Sequence, residues 1–570
     1  MSKRLTLIFL FLALGFFLVI FRLFYWQVIK AKYLSSQARQ QYKSERKISA
    51  SRGNILASDE STLAARKQAW LVYASLPDLK ENIEDLAQKL APLFLKQDAG
   101  KDEILKETAR LAELLAKKEV VWIALKHKAD DEIKDNIEKL KLSGLGFTPE
   151  EDRFYPEASS SAHLLGFVGK NEEGEDTGYF GLEGYYNLVL SGKPGFLARE
   201  KDAKGAPILF KGLKEVDASE GIDLLTHIDK SLQFGVEKKL KEGIERYGAK
   251  AGSVVIMEPE TGAILALAGF PSYDPYQYYS FSDEYFKNPV ISDSFEPGSV
   301  FKVVVIAAAL DAKAVTPETI CDICQGPYKV DKYLIETWDK KYRPNSTVQD
   351  IIVHSDNVGM VFVANKLGKD KLYEYLDKFG FGRLTGIDLQ GEASPSLRKK
   401  DDWNEVDLAV SGFGQGIALT PIQLVRAVAA IANGGKLMPP QVVDKVKKGS
   451  WSQDIKPKTE RKVISSETAQ QVTLMMMEAA KSGEAKWTNV SGFRVAGKTG
   501  TAQIPIAGHY DAEKTIASFV GFAPAEKPKF VMLVTLREPQ TSPWASETAA
   551  PLWYNIAKDL FYFFAIQPDK

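Results

Sequence analysis

Phe295-Glu296-Pro297-Gly298-Ser299-Val300-Phe301-Lys302-Val303-Val304-Val305-Ile306-Ala307-Ala308-Ala309-Leu310 reads as a Pro-Gly turn leading into a helix that is apolar nearly all round. A helix without a polar face belongs in the centre of a domain. Ser299 stands at its start, and Lys302 follows three residues later, close to the same face. Desolvation disfavours the charge of a lysine on such a helix. A lysine depressed in this way can take the proton of a serine and turn a weak nucleophile into a useful one. Taken alone, Ser299 reads more readily as a helix cap, a very common use of serine.

Outward from this helix the chain is strand-like at both ends. Ser253 to Met257, the turn Glu258 to Gly262 and Ala263 to Leu267 form a hairpin pattern buried on both faces. Phe493 to Gln503, Thr515 to Phe522 and Phe530 to Arg537 are strand-like, and Pro551 to Ala565 reads as a final helix. The expected class is mixed α/β: these five strands in one antiparallel sheet, covered by the helices between them. Earlier, Asp78 to Leu142 carries charged segments with apolar residues at helical spacing, as in Leu105, Leu111, Leu114 and Leu115. Residues 150 to 250 are rich in Gly and aromatics, with one amphipathic helix near Ser231 to Tyr247 and a boundary expected near Gly248. At 570 residues more than one domain is expected.

Two further polar clusters interrupt apolar segments: His354-Ser355-Asp356-Asn357, and Lys498-Thr499-Gly500-Thr501 on the strand after Phe493. Each is weak by itself. Ser-x-x-Lys, then Ser-Asp-Asn, then Lys-Thr-Gly in this chain order is the signature of penicillin-binding proteins and class A β-lactamases.

Leu5 to Phe21 is an uninterrupted run of apolar and small residues, long enough with its flank for a bilayer span; Arg22 can snorkel, and Tyr25 and Trp26 suit the interface. No small-x-small cleavage site follows, so the run reads as an uncleaved anchor. Lys3 and Arg4 are outnumbered by Lys30, Lys32, Arg39, Lys43, Arg46 and Lys47 beyond it. The basic-residue count alone points to the C-terminal side of the span as the cytoplasmic one, though large downstream domains translocate largely regardless of charge. Lys plus Arg equals Asp plus Glu, 74 each, so there is no global pull toward nucleic acid. Cys321 and Cys324 are the only cysteines. Without further ligands nearby they do not make a zinc site, and a disulfide, a redox pair and two free thiols all fit the spacing.

The chain resembles the class B penicillin-binding proteins along most of its length, in the three motifs and in Arg52-Gly53-Asn54-Ile55-Leu56, Arg153-Phe154-Tyr155-Pro156, Gly181-Leu182-Glu183, Ile222 to Asp229 and Gly414 to Leu424. It looks most like FtsI-type division enzymes, with elongation-type relatives as the alternative. The resemblance implies a cytoplasmic tail (1–4), an anchor (5–29), an elongated non-catalytic α+β pedestal of the dimerisation-domain type (30–248) and a transpeptidase domain (249–570). It implies a bacterial inner-membrane protein, single-pass, with its catalytic domain outside the cytoplasm.

The resemblance further implies that Ser299 attacks the D-Ala-D-Ala carbonyl of a peptidoglycan stem peptide, Lys302 serves as base, and Ser355 relays a proton to the leaving amine. Asn357 would hold the substrate amide and Lys302. Lys498, with Thr499, Gly500 and Thr501, would receive the substrate carboxylate, and the backbone N–H groups of Ser299 and Thr501 would form an oxyanion hole. It implies no metal or organic cofactor, β-lactams as inhibitors, and as partners a SEDS-family glycosyltransferase and divisome membrane proteins. Against a β-lactamase, the nearest match to its deacylating Glu-x-x-Leu-Asn is Glu405-Val406-Asp407-Leu408-Ala409, which lacks the Asn. An inactive wall-synthesis scaffold is the remaining alternative.

Overall fold

A computed structural model describes residues 3–35, 43–95, 98–117, 120–157, 159–200, 214–506 and 509–569. The basic residue Arg39, counted above, lies outside the described residues. The chain forms two compact units, Met1–Arg52 with Ser191–Gly221, and Gly53–Leu190 with Ile222–Lys570.

In the first unit the apolar run is a helix, Lys3–Phe24, continued by a π-helical turn, Tyr25–Ile29. None of its residues is buried by protein. Such a surface is tolerated where hydrocarbon replaces water, and the helix is long and apolar enough to cross a membrane. The Arg22 guanidinium lies 5.3 Å from the centre of the Trp26 ring, which holds the charge at the aromatic end of the span. The unit also contains a three-stranded antiparallel sheet with Gly195–Glu200 between Lys43–Ile48 and Lys214–Val216.

The second unit begins with a sheet built on one long strand, Thr62–Ser75, paired with Trp122–Ala129 and, over ten residues, with Leu145–Phe154. Helices Ile83–Phe94, Lys101–Leu115 and Asp131–Lys139 cover it with Leu86, Leu90, Leu111, Leu115 and Ile137. Leu105, by contrast, faces solvent. The other end of this sheet runs through Ile55–Leu56 and Asp223–Thr226 to two strands supplied from far along the chain, Val443–Lys448 and Trp451–Asp454.

The segments of the class B resemblance other than Gly414 to Leu424 and the three motifs meet here. Arg153 Nε donates to Glu183 at 2.6 Å and its Nη1 to the Gly53 carbonyl at 2.7 Å, while Asn54 N–H donates to Asp223 at 2.6 Å. Arg153 and Glu183 are both buried.

The main sheet of the C-terminal part has five strands, β1 (Ala251–Met257), β2 (Ile264–Phe270), β3 (Ala496–Ile506), β4 (His509–Ala523) and β5 (Phe530–Arg537), in the all-antiparallel order β2-β1-β5-β4-β3. The helices that matter for the site are α1 (Lys230–Tyr247), α2 (Lys302–Asp311), α3 (Val348–Val353), α4 (Asn357–Leu367), α5 (Ser466–Ser482) and α6 (Ala549–Phe563).

The period of two along a strand sends alternate residues to opposite faces. Val255, Met257, Val531 and Leu533 join α2 in one core, and Val254, Ile256, Met532 and Val534 join α1 and α6 in another. Both faces are covered, which is why these strands read as nearly continuous apolar runs. α1 precedes the boundary expected at Gly248, yet Leu232, Val236 and Leu240 pack with the C-terminal sheet. α2 is the expected central helix, with every residue from Lys302 to Leu310 buried.

Candidate active site

Gly298, at φ 58°, makes the turn that presents Ser299 at the entrance to α2. Its N–H donates to the Gly414 carbonyl at 2.9 Å. A Cβ at position 414 would lie 2.2 Å from the Gly298 oxygen, so only glycine lets this brace approach. Ser299 is half-buried, and its hydroxyl makes no hydrogen bond with another described residue. Catalytic contacts are often loose without substrate.

Lys302, fully buried, points its Nζ at the second motif. It donates to the Ser355 carbonyl at 2.6 Å, to Asn357 Oδ1 at 2.8 Å and to Ser355 Oγ at 3.3 Å. Burial first, and then the charge of Lys498, pull Lys302 from 10.5 down to about 7, with Glu484 and Asp356 opposing. Ser355 sits between α3 and α4 at φ 55°, a left-handed conformation that costs a non-glycine residue about 1–2 kcal/mol. The helix ends on either side hold it there: Thr347 and Asp350 form a capping box on α3, and Asp356 caps α4 by accepting the Gly359 N–H at 2.9 Å.

The third motif lies on β3, an edge strand of the sheet. Lys498 Nζ, also buried, donates to Ser355 Oγ at 3.0 Å and to the Thr499 carbonyl and hydroxyl at 3.1 Å. Burial lowers the Lys498 pKa, and Glu484 opposes the shift. Gly500 lets the strand close on the serine turn, since a Cβ there would come within 2.8 Å of Val300 Cγ1. Thr501 Oγ1 accepts the Ala545 N–H at 3.1 Å.

The three motifs therefore converge from residues 299, 355 and 498, with Ser355 Oγ bridging the two lysines. They border a cleft of about 510 Å³, open to solvent, lined by Ser299, Ser355, Asn357 and Thr501. The same cleft is lined by Glu484, Trp338, Trp544 and Phe413, which the sequence did not single out, and by Gln415 of the Gly414 to Leu424 segment. Glu484 accepts the Thr499 hydroxyl at 2.9 Å. The Trp338 and Trp544 rings lie 5.6 Å apart, and Trp338 Nε1 donates to the His354 carbonyl at 3.1 Å. No spacing announces Glu484, Trp338, Trp544 or Phe413, and only the fold brings them to the cleft.

Glu405 is exposed on the first turn of the helix Glu405–Ser411, where Asn404 and Asp407 form the capping box. It does not line the cleft. Cys321 and Cys324 form a disulfide, and both are buried.

Residues 252–559 match the family model of the penicillin binding protein transpeptidase domain, and residues 47–226 that of the penicillin-binding protein dimerisation domain. The chain is 31% identical to the stage V sporulation protein D of Bacillus subtilis, over 100% of this chain and 87% of that protein. It is 29% identical to the peptidoglycan D,D-transpeptidase FtsI of Escherichia coli, over 79% of this chain and 73% of that protein. In fold it is similar to penicillin binding protein 2X of Streptococcus thermophilus, at TM-score 0.75 and 24% identity, covering 92% of this chain and 81% of that one. With both family models in place and all three motifs gathered at one cleft, the chain belongs to the class B penicillin-binding proteins.

Proposed function

We propose that the protein is a peptidoglycan D,D-transpeptidase that cross-links stem peptides through an acyl-enzyme on Ser299. The observation that carries this reading is the bridge at Ser355 Oγ, 3.3 Å from Lys302 Nζ and 3.0 Å from Lys498 Nζ, beside the Ser299 turn. It supplies a carrier for every proton the reaction moves.

Lys302, neutral, takes the proton of Ser299 as the serine oxygen bonds to the penultimate D-Ala carbonyl carbon. The backbone N–H groups of Ser299 and Thr501 receive the oxyanion. Collapse breaks the C–N bond, and the terminal D-Ala amine leaves with a proton relayed through Ser355. An acceptor amine then attacks the ester carbon, the bond to the Ser299 oxygen breaks, and the amine's proton returns through Lys302 to Ser299. One amide replaces another, so the step requires no external energy source. Asn357 aligns the donor amide, and Lys498, Thr499 and Thr501 receive the donor carboxylate, with Gly500 giving the close approach. A β-lactam carries the same carboxylate and a strained amide, and so acylates Ser299.

The reading extends to a single span in the bacterial inner membrane with the cleft outside the cytoplasm. The Cys321–Cys324 disulfide supports that side, because such bonds persist in oxidising compartments. Residues 5–29 serve as anchor, 30–248 as pedestal and 249–570 as the transpeptidase domain. A SEDS-family glycosyltransferase and divisome membrane proteins are the proposed partners. Septal synthesis is the favoured role, on the resemblance to FtsI-type enzymes. A sporulation role is the second reading, favoured by the named relative from Bacillus subtilis that matches over the full chain. Depletion followed by microscopy separates them: filaments support septation, rounding would point to elongation, and normal growth with failed spores would point to sporulation.

The chemistry is tested by intact mass after incubating the detergent-solubilised chain with benzylpenicillin. One stable adduct is expected, absent from Ser299→Ala. Rapid turnover would favour a β-lactamase, and no adduct on folded protein would favour an inactive scaffold.

A further inference from the structure

Glu484 reaches the cleft by way of a tight turn after α5. A Cβ at Gly483 would lie 2.3 Å from the Ala479 carbonyl oxygen and 3.0 Å from that of Val353, so the turn is packed onto the end of α3 just before Ser355. The result is a continuous series of contacts. The Thr499 hydroxyl donates to Glu484 Oε2 at 2.9 Å, Lys498 Nζ donates to the same hydroxyl at 3.1 Å and to Ser355 Oγ at 3.0 Å, and Lys302 Nζ meets Ser355 Oγ at 3.3 Å.

A hydroxyl has one hydrogen to give. Because Thr499 gives it to a carboxylate, only lone pairs face Lys498, and the lysine must be the donor. As an ammonium, Lys498 has three hydrogens, one each for the Thr499 carbonyl, the Thr499 hydroxyl and Ser355 Oγ, so Ser355 accepts from it while Lys498 is charged.

We propose that Glu484 is a positioning residue that sets the order of protons in this series, turning Thr499 to accept from Lys498, holding Lys498 as the cation and leaving Lys302 as the proton acceptor for Ser299. The proposal rests on the acyl-enzyme reading above. It adds a residue to the machinery that lies outside all three motifs.

Electrostatics support the assignment of the charge to Lys498, while at Lys302 the direct effect of Glu484 opposes that of Lys498. The Lys498 charge pushes the Lys302 pKa down, whereas Glu484 raises both lysines against the effect of burial. The other charge acting on Lys302 is Asp356, on the turn into α4. Lys481 and Lys486, on either side of Glu484 in the chain, are exposed. His354, between α3 and Ser355, is influenced by Arg343, Asp350, Asp339 and Asp356.

The test is the rate of benzylpenicillin acylation against pH, read by intact mass on the full chain in detergent. The rising limb reports Lys302 losing its proton, and the falling limb Lys498 losing its own. Glu484→Gln keeps an acceptor for Thr499 and removes the charge, so both limbs should move to lower pH by about one unit. Glu484→Ala should move them the same way and lower the maximum by about tenfold, because Thr499 is no longer oriented. Glu484→Asp should leave both limbs in place. Unmoved limbs in the Gln or the Ala variant, with a wild-type melting temperature, would overturn the proposal. Failure of the wild type to acylate would instead overturn the transpeptidase reading on which it rests.

Discussion

Lys302 is costly to bury and is nonetheless fully enclosed, and its surroundings explain why the cost is tolerated. Ser355 and Asn357 supply three acceptors for Nζ, while burial and the neighbouring Lys498 hold its pKa at about 7 instead of 10.5. A base must be neutral to act. Acylation of Ser299 should therefore rise with pH, reach half its plateau near pH 7, and fall about tenfold per unit below that. Stopped-flow acylation with a chromogenic β-lactam across pH 5 to 9 checks this, and Lys302→Met should abolish the limb and slow acylation by about 10²–10⁴. For stability the depressed lysine acts with a defined sign. The unfolded chain binds more protons than the folded one between the folded value of about 7 and 10.5, so this residue's burial penalty is full below that window and is relieved as pH rises through it. Motif residues were legible because proton transfer needs particular side chains at particular spacings. Glu484 and Trp338 were not, because nothing local marks a residue whose role depends on what folds beside it.

Among the elements, the N-terminal sheet depends on a buried ion pair. Arg153 on the strand Leu145–Phe154 meets Glu183 on the short helix Gly181–Tyr185 and also holds the Gly53 carbonyl. Removing one partner strands a buried charge. Glu183→Ala should cost about 3–5 kcal/mol in denaturant unfolding, whereas the apolar pair Arg153→Met with Glu183→Leu should recover most of it. Near-equal stability of the single and double variants would show that the stranded charge is not the source of the cost. The strands of this sheet were the least legible elements. Thr62–Ser75 has its alternation broken by exposed Arg66, Lys67 and Gln68, and Trp122–Ala129 carries Lys126, His127 and Lys128. These long polar side chains obscure a period of two. The C-terminal strands were legible for the opposite reason: both faces are covered, so apolar residues run on without interruption.

For the whole molecule, the span and the cleft make separate predictions. A chain lacking residues 3–29 should move from the membrane fraction to the soluble fraction and still form the Ser299 adduct. Fractionation followed by intact mass with benzylpenicillin measures both, and loss of the adduct from soluble, folded protein would show that acylation needs the anchor. Composition, periodicity and motif order by themselves determined the long apolar N-terminal helix, the buried α2, the antiparallel sheet made from both ends of the domain and the eight motif residues of the site. Each is a local property, written in a run of apolar residues or a fixed spacing. The tertiary structure alone decided that Val443–Lys448 and Trp451–Asp454 join a sheet begun at Ile55, that α1 packs with the C-terminal sheet, that Cys321 and Cys324 are bonded, and that Glu484 meets Thr499. Those contacts join residues far apart in the chain or select one of several local states, and they exist only once two cores have closed around them.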